Sequence, residues 1–482
     1  MGNEWINKTI EDIAKHQKGF AFKSKDYQEV GCPVVRVSNF TEDSIDCSSL
    51  YFVSEKIQKE TEAVALIKND VVIATVGSWP KNPASIVGKT IRVPLEAEGS
   101  LLNQNAVRLR ASGCENFDQI FLYYLLKDKK FSDYIVSTAQ GSANQASITL
   151  KDIYGYSFDY PSDTERRKIS EILDSLDNKI QLNRETNQTL EAMAQALFKS
   201  WFVDFDPVFD NIIAHNLAHN NAPLHNIPEP LLPHAQRRLN VHNVGRGSAR
   251  QTAAHAFHHL FPQAFEQSDE PSVGIQGWIP KGWGAGLTSE IATTNEISWT
   301  KKSAPLSVDY VDLANAKNGR IQETTSYSYD EAPSRAKRCL SIGDTIIGLV
   351  RPGNRSFAYI SVSGLTGSTG FAVMRPKDIN LQAYLYFHLT RDDVIDEFAR
   401  LADGAAYPAI RPEVVSNLEC IVPPAELLHE FQQVAGHLLE KIGFNVEEVK
   451  VLESLRDTLL PKLISGELRI PDAEQATEAL AK

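Results

Sequence analysis

Cysteine, methionine, long apolar runs and positive charge are all scarce in this chain of 482 residues. Its five cysteines, Cys32, Cys47, Cys114, Cys339 and Cys420, are scattered and odd in number. That excludes a disulfide framework and a thiolate metal finger, and it points to a reducing, cytoplasmic setting. Apolar runs such as "VVIATVG" and "TIIGLV" fall well short of the roughly 18–20 residues of a membrane helix, so no membrane partner is expected. The opening "MGNEWINKTIEDIAKHQ" lacks the apolar stretch of a secretion signal. Lys and Arg number 49 against 61 Asp and Glu, leaving a net charge of −12. Such a chain does not coat nucleic acid indiscriminately, although local basic loops can still read a specific sequence.

Catalytic motifs are missing as well. "VGKT" (Val87–Thr90) ends like a phosphate-binding loop, but the required earlier glycine is Pro83. "GWGAGLTS" holds Gly284 and Gly286, yet Ser289 stands where a dinucleotide loop needs its third glycine. "DPVF" (Asp206–Phe209) lacks the second proline of the amino-methyltransferase D-P-P-Y tetrad and reads as a helix stop. No G-x-S-x-G, H-E-x-x-H or paired-cysteine motif appears. These absences favour a binding protein over an enzyme.

What the chain has is an internal repeat. "ALIKNDVVIATVG" (65–77) matches "CLSIGDTIIGLVR" (339–351), and "IFLYYLLKD" (120–128) matches "AYLYFHLTRD" (383–392). "AQGSANQASI" (139–148) matches "ADGAAYPAI" (402–410). From Ile148 to Phe202 the second copy follows without a gap at an offset of 262: Pro161 falls on Pro423, Asn183 on Asn445, and Leu190-Glu191 on Leu452-Glu453. The organisation expected is a mixed domain over 1–161, a long helix over 162–206, a linker over 207–275, a second mixed domain over 276–423, a second long helix over 424–466 and a tail over 467–482. The fold class is therefore α+β: two mixed α/β domains in pseudo-two-fold tandem repeat, separated by two long antiparallel coiled-coil helices. "VVIATV" and "TIIGLV" read as buried strands, and "FDQIFLYYLLKD" and "NLQAYLYFHLTRD" as helices.

The first long helix is punctuated by a Ser162–Glu165 capping box at its start and Pro207 after its end. Its seam alternates by four and three through Ile169, Leu173, Leu176, Ile180, Asn183, Leu190 and Leu197. The copy supplies Leu438, Ile442, Asn445, Leu452 and Leu459. The two helices are expected to pair antiparallel, with Asn183 and Asn445 close together to fix register. A kink or end is expected near Pro461, with Gly466 as the cap.

The linker holds eight of the twelve histidines, including His215, His219, His255, His258 and His259. With no cysteine and few carboxylates at ligand spacing, an extended, partly ordered linker is expected rather than a metal site. In the second copy Arg335, Lys337, Arg338, Arg351, Asn354 and Arg355 fall in neighbouring polar stretches. The matching loops of the first copy offer Lys81, Asn82, Asn103, Gln104, Asn105 and Arg108. Arginine on guanine and asparagine or glutamine on adenine are the usual base-edge pairings, so these twelve are candidate DNA contacts.

Three stretches, "NKIQLNRETNQTLEAMAQALFKSWFVDFDPV", "LFPQAF…GWIPKGW" and "LRDTLLPKLISGEL", resemble the specificity subunit of type I restriction–modification systems. The resemblance covers nearly the whole chain. It implies two target-recognition domains, at 1–161 and 276–423, each followed by a long helix. It also implies a non-catalytic subunit that reads a bipartite double-stranded DNA target and binds two methyltransferase subunits and two motor-nuclease subunits. S-adenosylmethionine, ATP and magnesium would sit on those partners, with no cofactor and no metal on this chain. Two other readings stay open: a self-sufficient DNA methyltransferase or nuclease, and a coiled-coil adaptor that never touches DNA.

Overall fold

The computed structural model describes residues 5–79, 87–113, 115–142, 145–244, 255–404 and 407–468. The chain divides into two compact units, residues 1–182 with 448–482, and residues 183–447.

In the first unit "VVIA" forms the strand Val71–Ala74, buried along its whole length. Alternate side chains of a strand point to opposite faces. Val71 and Ile73 accordingly enter one core, with Val107, Leu109 and the helix Asn116–Lys127. Val72 and Ala74 enter another, with Val34, Val53, Ile91 and Leu101. The antiparallel sheet runs in the order Ala14–Lys18, Ala106–Ala111, Val71–Ala74, Thr90–Arg92. A second sheet orders Tyr27–Gln28, Tyr51–Val53, Cys32–Val35 and Leu101–Leu102.

The second unit repeats this plan. Thr345–Gly348 is the fully buried central strand. Its antiparallel sheet runs Ala292–Thr294, Phe371–Pro376, Thr345–Gly348, Phe357–Tyr359. Ile347 joins one core and Ile346 the other. The aspartate that recurs in the repeat has the same task twice. Asp70 accepts two hydrogen bonds from Arg110, at 2.6 and 2.9 Å, and one from the Ile67 amide at 2.8 Å. Asp344 accepts two from Arg375, at 2.9 and 2.8 Å, and one from the Ser341 amide at 2.8 Å. Both carboxylates are buried, and each two-pronged bond ties the turn before the central strand to its neighbour.

The first long helix spans Asp163–Phe202, 40 residues. Ser162 and Glu165 form the capping box: the Ser162 amide donates to Glu165 at 3.2 Å and the Glu165 amide to Ser162 Oγ at 3.4 Å. The second runs as Ala425–Phe431, a π-helical turn over Gln432–Gly436, then His437–Ile464. That turn interrupts what was expected as one regular helix. One extra residue per turn shifts the heptad phase, and Gln432 there accepts the Ala383 amide at 2.9 Å. The helix passes through Pro461 and ends at Ile464, and Gly466 adopts a left-handed φ of 72°.

In each unit the two helices run antiparallel. In the first, Asp177 meets Arg456 at 2.9 Å and Lys179 meets Glu448 at 3.3 Å. Ile169, Leu173 and Leu176 share a core with Leu459, Leu460, Leu463 and Ile464. In the second, Phe198 and Trp201 pack on Phe431 with ring centroids 6.0 and 5.9 Å apart. The Asn445 side-chain amide donates to Asn187 Oδ1 at 2.8 Å, and Asn187 donates to the Ile442 carbonyl at 3.3 Å. Asn183, expected close to Asn445, lies one helical turn from Asn187 and is also buried. In each unit one of the two cores is therefore closed by the far end of the other repeat's helix.

The stretch expected as an extended, partly ordered linker is helical over much of its described length. Helices Asp206–Ala218 and Leu232–Val244 and a 3-10 turn, His255–Leu260, occupy much of it. Val208, Phe209, Ile213 and Leu231 are buried, most of them in the core of the second unit, so apolar residues spaced among the histidines decide its structure. Two ion pairs, Arg237–Asp206 at 2.9 Å and Arg238–Asp210 within hydrogen-bonding distance, join the two helices. Among the described residues no three His, Cys, Asp or Glu side chains group as a metal would require. None of the described helices is long and apolar enough to cross a membrane.

Candidate nucleic-acid interface

The twelve candidate contacts divide by environment. Lys81 and Asn82 lie outside the described residues. Asn103, Gln104 and Asn105 share one tight turn between strands Leu101–Leu102 and Ala106–Ala111, where Gln104 and Asn105 are exposed. Arg108 turns away from that surface: half-buried, it donates Nη1 to the Ala65 carbonyl at 2.5 Å. Burial lowers its pKa, with neighbouring Arg110 acting in the same sense.

The second-copy candidates, expected as one cluster, fall on two sheets. Arg335 lies just before strand Ala336–Cys339, which carries Lys337 and Arg338. Arg335 donates to the Tyr310 hydroxyl at 3.1 Å and to Asp312 at 2.7 Å; those bonds hold its guanidinium more firmly protonated. Arg338 is half-buried and donates to Ser298 Oγ at 3.1 Å. Lys337 is exposed.

Arg351, Asn354 and Arg355 belong to the hairpin between strands Thr345–Gly348 and Phe357–Tyr359 of the other sheet. Arg351 and Arg355 bracket the turn Pro352–Asn354, both with left-handed φ, 48° and 59°. Their side chains go different ways. Arg355 forms an ion pair with Asp392 and lines a groove of about 860 Å³ with Glu191, Lys317, Arg320 and Gln322. Burial raises the pKa of Glu191 in that groove, and the Tyr386 hydroxyl lies 3.4 Å from its carboxylate. Arg351 instead lies over the ring of Tyr407, 5.1 Å from its centroid.

The helix-seam residues separate by depth. Ile169, Leu173, Leu176, Ile180, Asn183, Asn445 and Leu459 are buried. Leu190, Leu197, Leu438, Ile442 and Leu452 are half-buried. Neighbouring Ala194, Phe198 and Leu439 take the deeper places where the second unit's core widens. Trp79 and Tyr407 are two aromatics in loops otherwise made of small and polar residues.

Residues 2–192 match the family model described as type I restriction modification DNA specificity domain. The chain is 25% identical over 364 residues to the MjaIX type I restriction enzyme specificity subunit of Methanocaldococcus jannaschii, covering 73% of this chain and 69% of that one. It is 27% identical over 367 residues to the HindI specificity subunit of Haemophilus influenzae, covering 72% and 77%. A crystal structure of the type I restriction–modification S subunit from M. genitalium superposes with a TM-score of 0.51 over 96% of both chains, at 14% identity. At that identity the last likeness speaks for the fold alone.

Proposed function

We propose that the chain, similar to the type I restriction–modification DNA specificity model and to those two specificity subunits, is the non-catalytic reading subunit of a cytoplasmic methyltransferase–endonuclease complex. Each unit reads one half of a bipartite duplex target. The long helices set the spacer between the half-sites and dock two methyltransferase subunits. Two motor-nuclease subunits complete the restricting form. S-adenosylmethionine, ATP and magnesium act on those partners, where base flipping and methyl transfer occur.

The observation that carries this reading is the doubled architecture. Two units share one sheet order, yet their exposed loops carry different side chains. A common scaffold with unlike tips suits two unlike half-sites, because backbone contacts place a domain on DNA while base-edge contacts specify the sequence. The test is methylation-aware sequencing of DNA from cells carrying the complex, before and after residues 1–161 are exchanged for those of a relative. A split motif with one half changed by the exchange is expected. An unchanged motif would count against the reading. Removing seven residues from one helix, about 10 Å, is expected to change the spacer or abolish methylation.

A further inference from the structure

Both units join the same two loops in the same way. In the first, the Ile148 amide donates to the Thr75 carbonyl at 3.0 Å, and Val76 and Gly77 pair with Ser147 and Ala146. In the second, the Ile410 amide donates to the Leu349 carbonyl at 2.9 Å, and Val350 pairs with Ala409. The loop after the central strand is thus clamped to the loop that precedes a short helix, Leu150–Tyr154 in the first unit and Pro412–Ser416 in the second. Each clamped pair carries one aromatic. In the first unit it is Trp79, half-buried, whose indole N–H donates to the Ser142 carbonyl at 2.8 Å. In the second it is Tyr407, 74% exposed and the most exposed aromatic among the described residues.

Lone exposed apolar side chains are common and by themselves mean little. Tyr407 differs in its setting. Its loop is held by the Arg351 amide, which donates to the Pro408 carbonyl at 2.7 Å, and by reciprocal amide bonds between Asp403 and Ala409 at 3.1 and 2.9 Å. The Arg351 guanidinium lies on its ring. Arg351 adopts a left-handed backbone conformation, φ 48°, that glycine would take without strain. A fixed ring with a guanidinium on its face presents a flat apolar surface beside a fork of donors. Duplex DNA offers both complements, in a sugar face or a thymine methyl and in the acceptor edge of guanine.

We infer that the clamped loop pair is the base-contacting tip of each unit, with Tyr407 and Arg351 the specificity-determining residues of the second and Trp79 the counterpart in the first. This rests on the DNA-reading role proposed above. It also divides the candidate arginines of the hairpin: Arg351 reads DNA, while Arg355 faces the groove beside the long helix.

The experiment uses the full chain assembled with its methyltransferase partner, with methylation of a randomised DNA library read by sequencing. Tyr407→Ala is expected to reduce discrimination about tenfold at one position of the half-site read by the second unit, the scale of one lost base contact, and to leave the other half-site intact. Tyr407→Phe is expected to behave like the parent. Trp79→Ala is expected to relax the opposite half-site. Arg351→Gly separates use from structure: it relieves backbone strain, so the melting temperature should hold or rise while selectivity falls. An unchanged motif in Tyr407→Ala and Arg351→Gly would overturn the inference, as would loss of both half-sites with a lowered melting temperature. A parent complex with no split motif at all would instead sink the DNA-reading role.

Discussion

The two units solve one packing problem with different chemistry. At positions related by the repeat, the first unit places charge where the second places hydrocarbon. Asp177 and Arg456 correspond, at the offset of 262, to Leu439 and Ala194. Tyr124, whose hydroxyl donates to Asp177 at 2.7 Å, corresponds to Phe387. Buried Arg166 bonds Asp118 at 3.0 Å; its counterpart is Leu428, and that of Asp118 is Leu381, both buried in the second unit's core. The helix ends differ in the same direction. Leu460, Leu463 and Ile464 close the first core, and Phe198, Trp201 and Phe202 close the second.

The exchanges are concerted, and the reason is energetic. A buried charge without its partner costs several kcal/mol, whereas a buried ion pair and a well-packed apolar pair can be nearly equal in stability. Either solution is allowed, and a half-exchanged one is not. The larger rings of the second unit also fill space. Its aromatic cluster extends through Trp201 to Phe257 and Phe261, which belong to the folded segment after the first helix. No such segment follows the corresponding helix end in the described part of the first unit.

The sharpest way to break this comparison is to leave one exchange half done. Asp177→Asn is expected to destabilise the chain by about 3 kcal/mol, the lower end for a buried pair because Asp457 still reaches Arg456. The combined change Tyr124→Phe, Asp177→Leu and Arg456→Ala imports the second unit's solution. It is expected to be less harmful than the single change in denaturant unfolding. A triple variant weaker than the single would show that the two cores are not interchangeable.

A smaller effect concerns acid. The second unit buries His388 where the first has Leu125. Burial, reinforced by Arg391 and opposed by Asp393, lowers the His388 pKa to about 3. The folded state then resists protonation that the unfolded state accepts below its ordinary pKa of 6.5. Its contribution to stability is lost as pH falls from about 6.5 toward 3, at about 1.4 kcal/mol per pH unit, or about 2 kcal/mol by pH 5. His388→Leu should flatten the pH dependence of the second unit's unfolding, followed by hydrogen exchange in each unit, and leave the first unchanged.

The smallest expected change is at the amide pair. Asn187→Ala leaves the Asn445 side chain buried without that acceptor and should cost about 1–2 kcal/mol. Replacing both by leucine should recover much of the loss while relaxing helix register. Thermal melting of the two variants reads the first effect, and the spacer length found by methylation sequencing reads the second.

Several features were legible in the chain before its structure. The buried central strands, the capping box at Ser162 and the recurring aspartates follow from local pattern. The repeat also marked Asn183 and Asn445 as equivalent, and Leu190 with Leu452. Packing between segments far apart in sequence gave Asn445 to Asn187 and set the π-helical turn at Gln432–Gly436. The same packing placed Leu463 in the first core and Trp201 in the second. Arginines that look alike in sequence parted for a related reason. Arg108 and Arg338 lie beside half-buried backbone and hydroxyl acceptors, while Arg351 meets an exposed ring whose loop is distant in the chain. Local sequence determined which segments are helix and strand, because propensity, capping and periodicity act over a few residues. Only the tertiary structure decided which side chains stay at the surface, because burial depends on neighbours that the chain brings in from elsewhere.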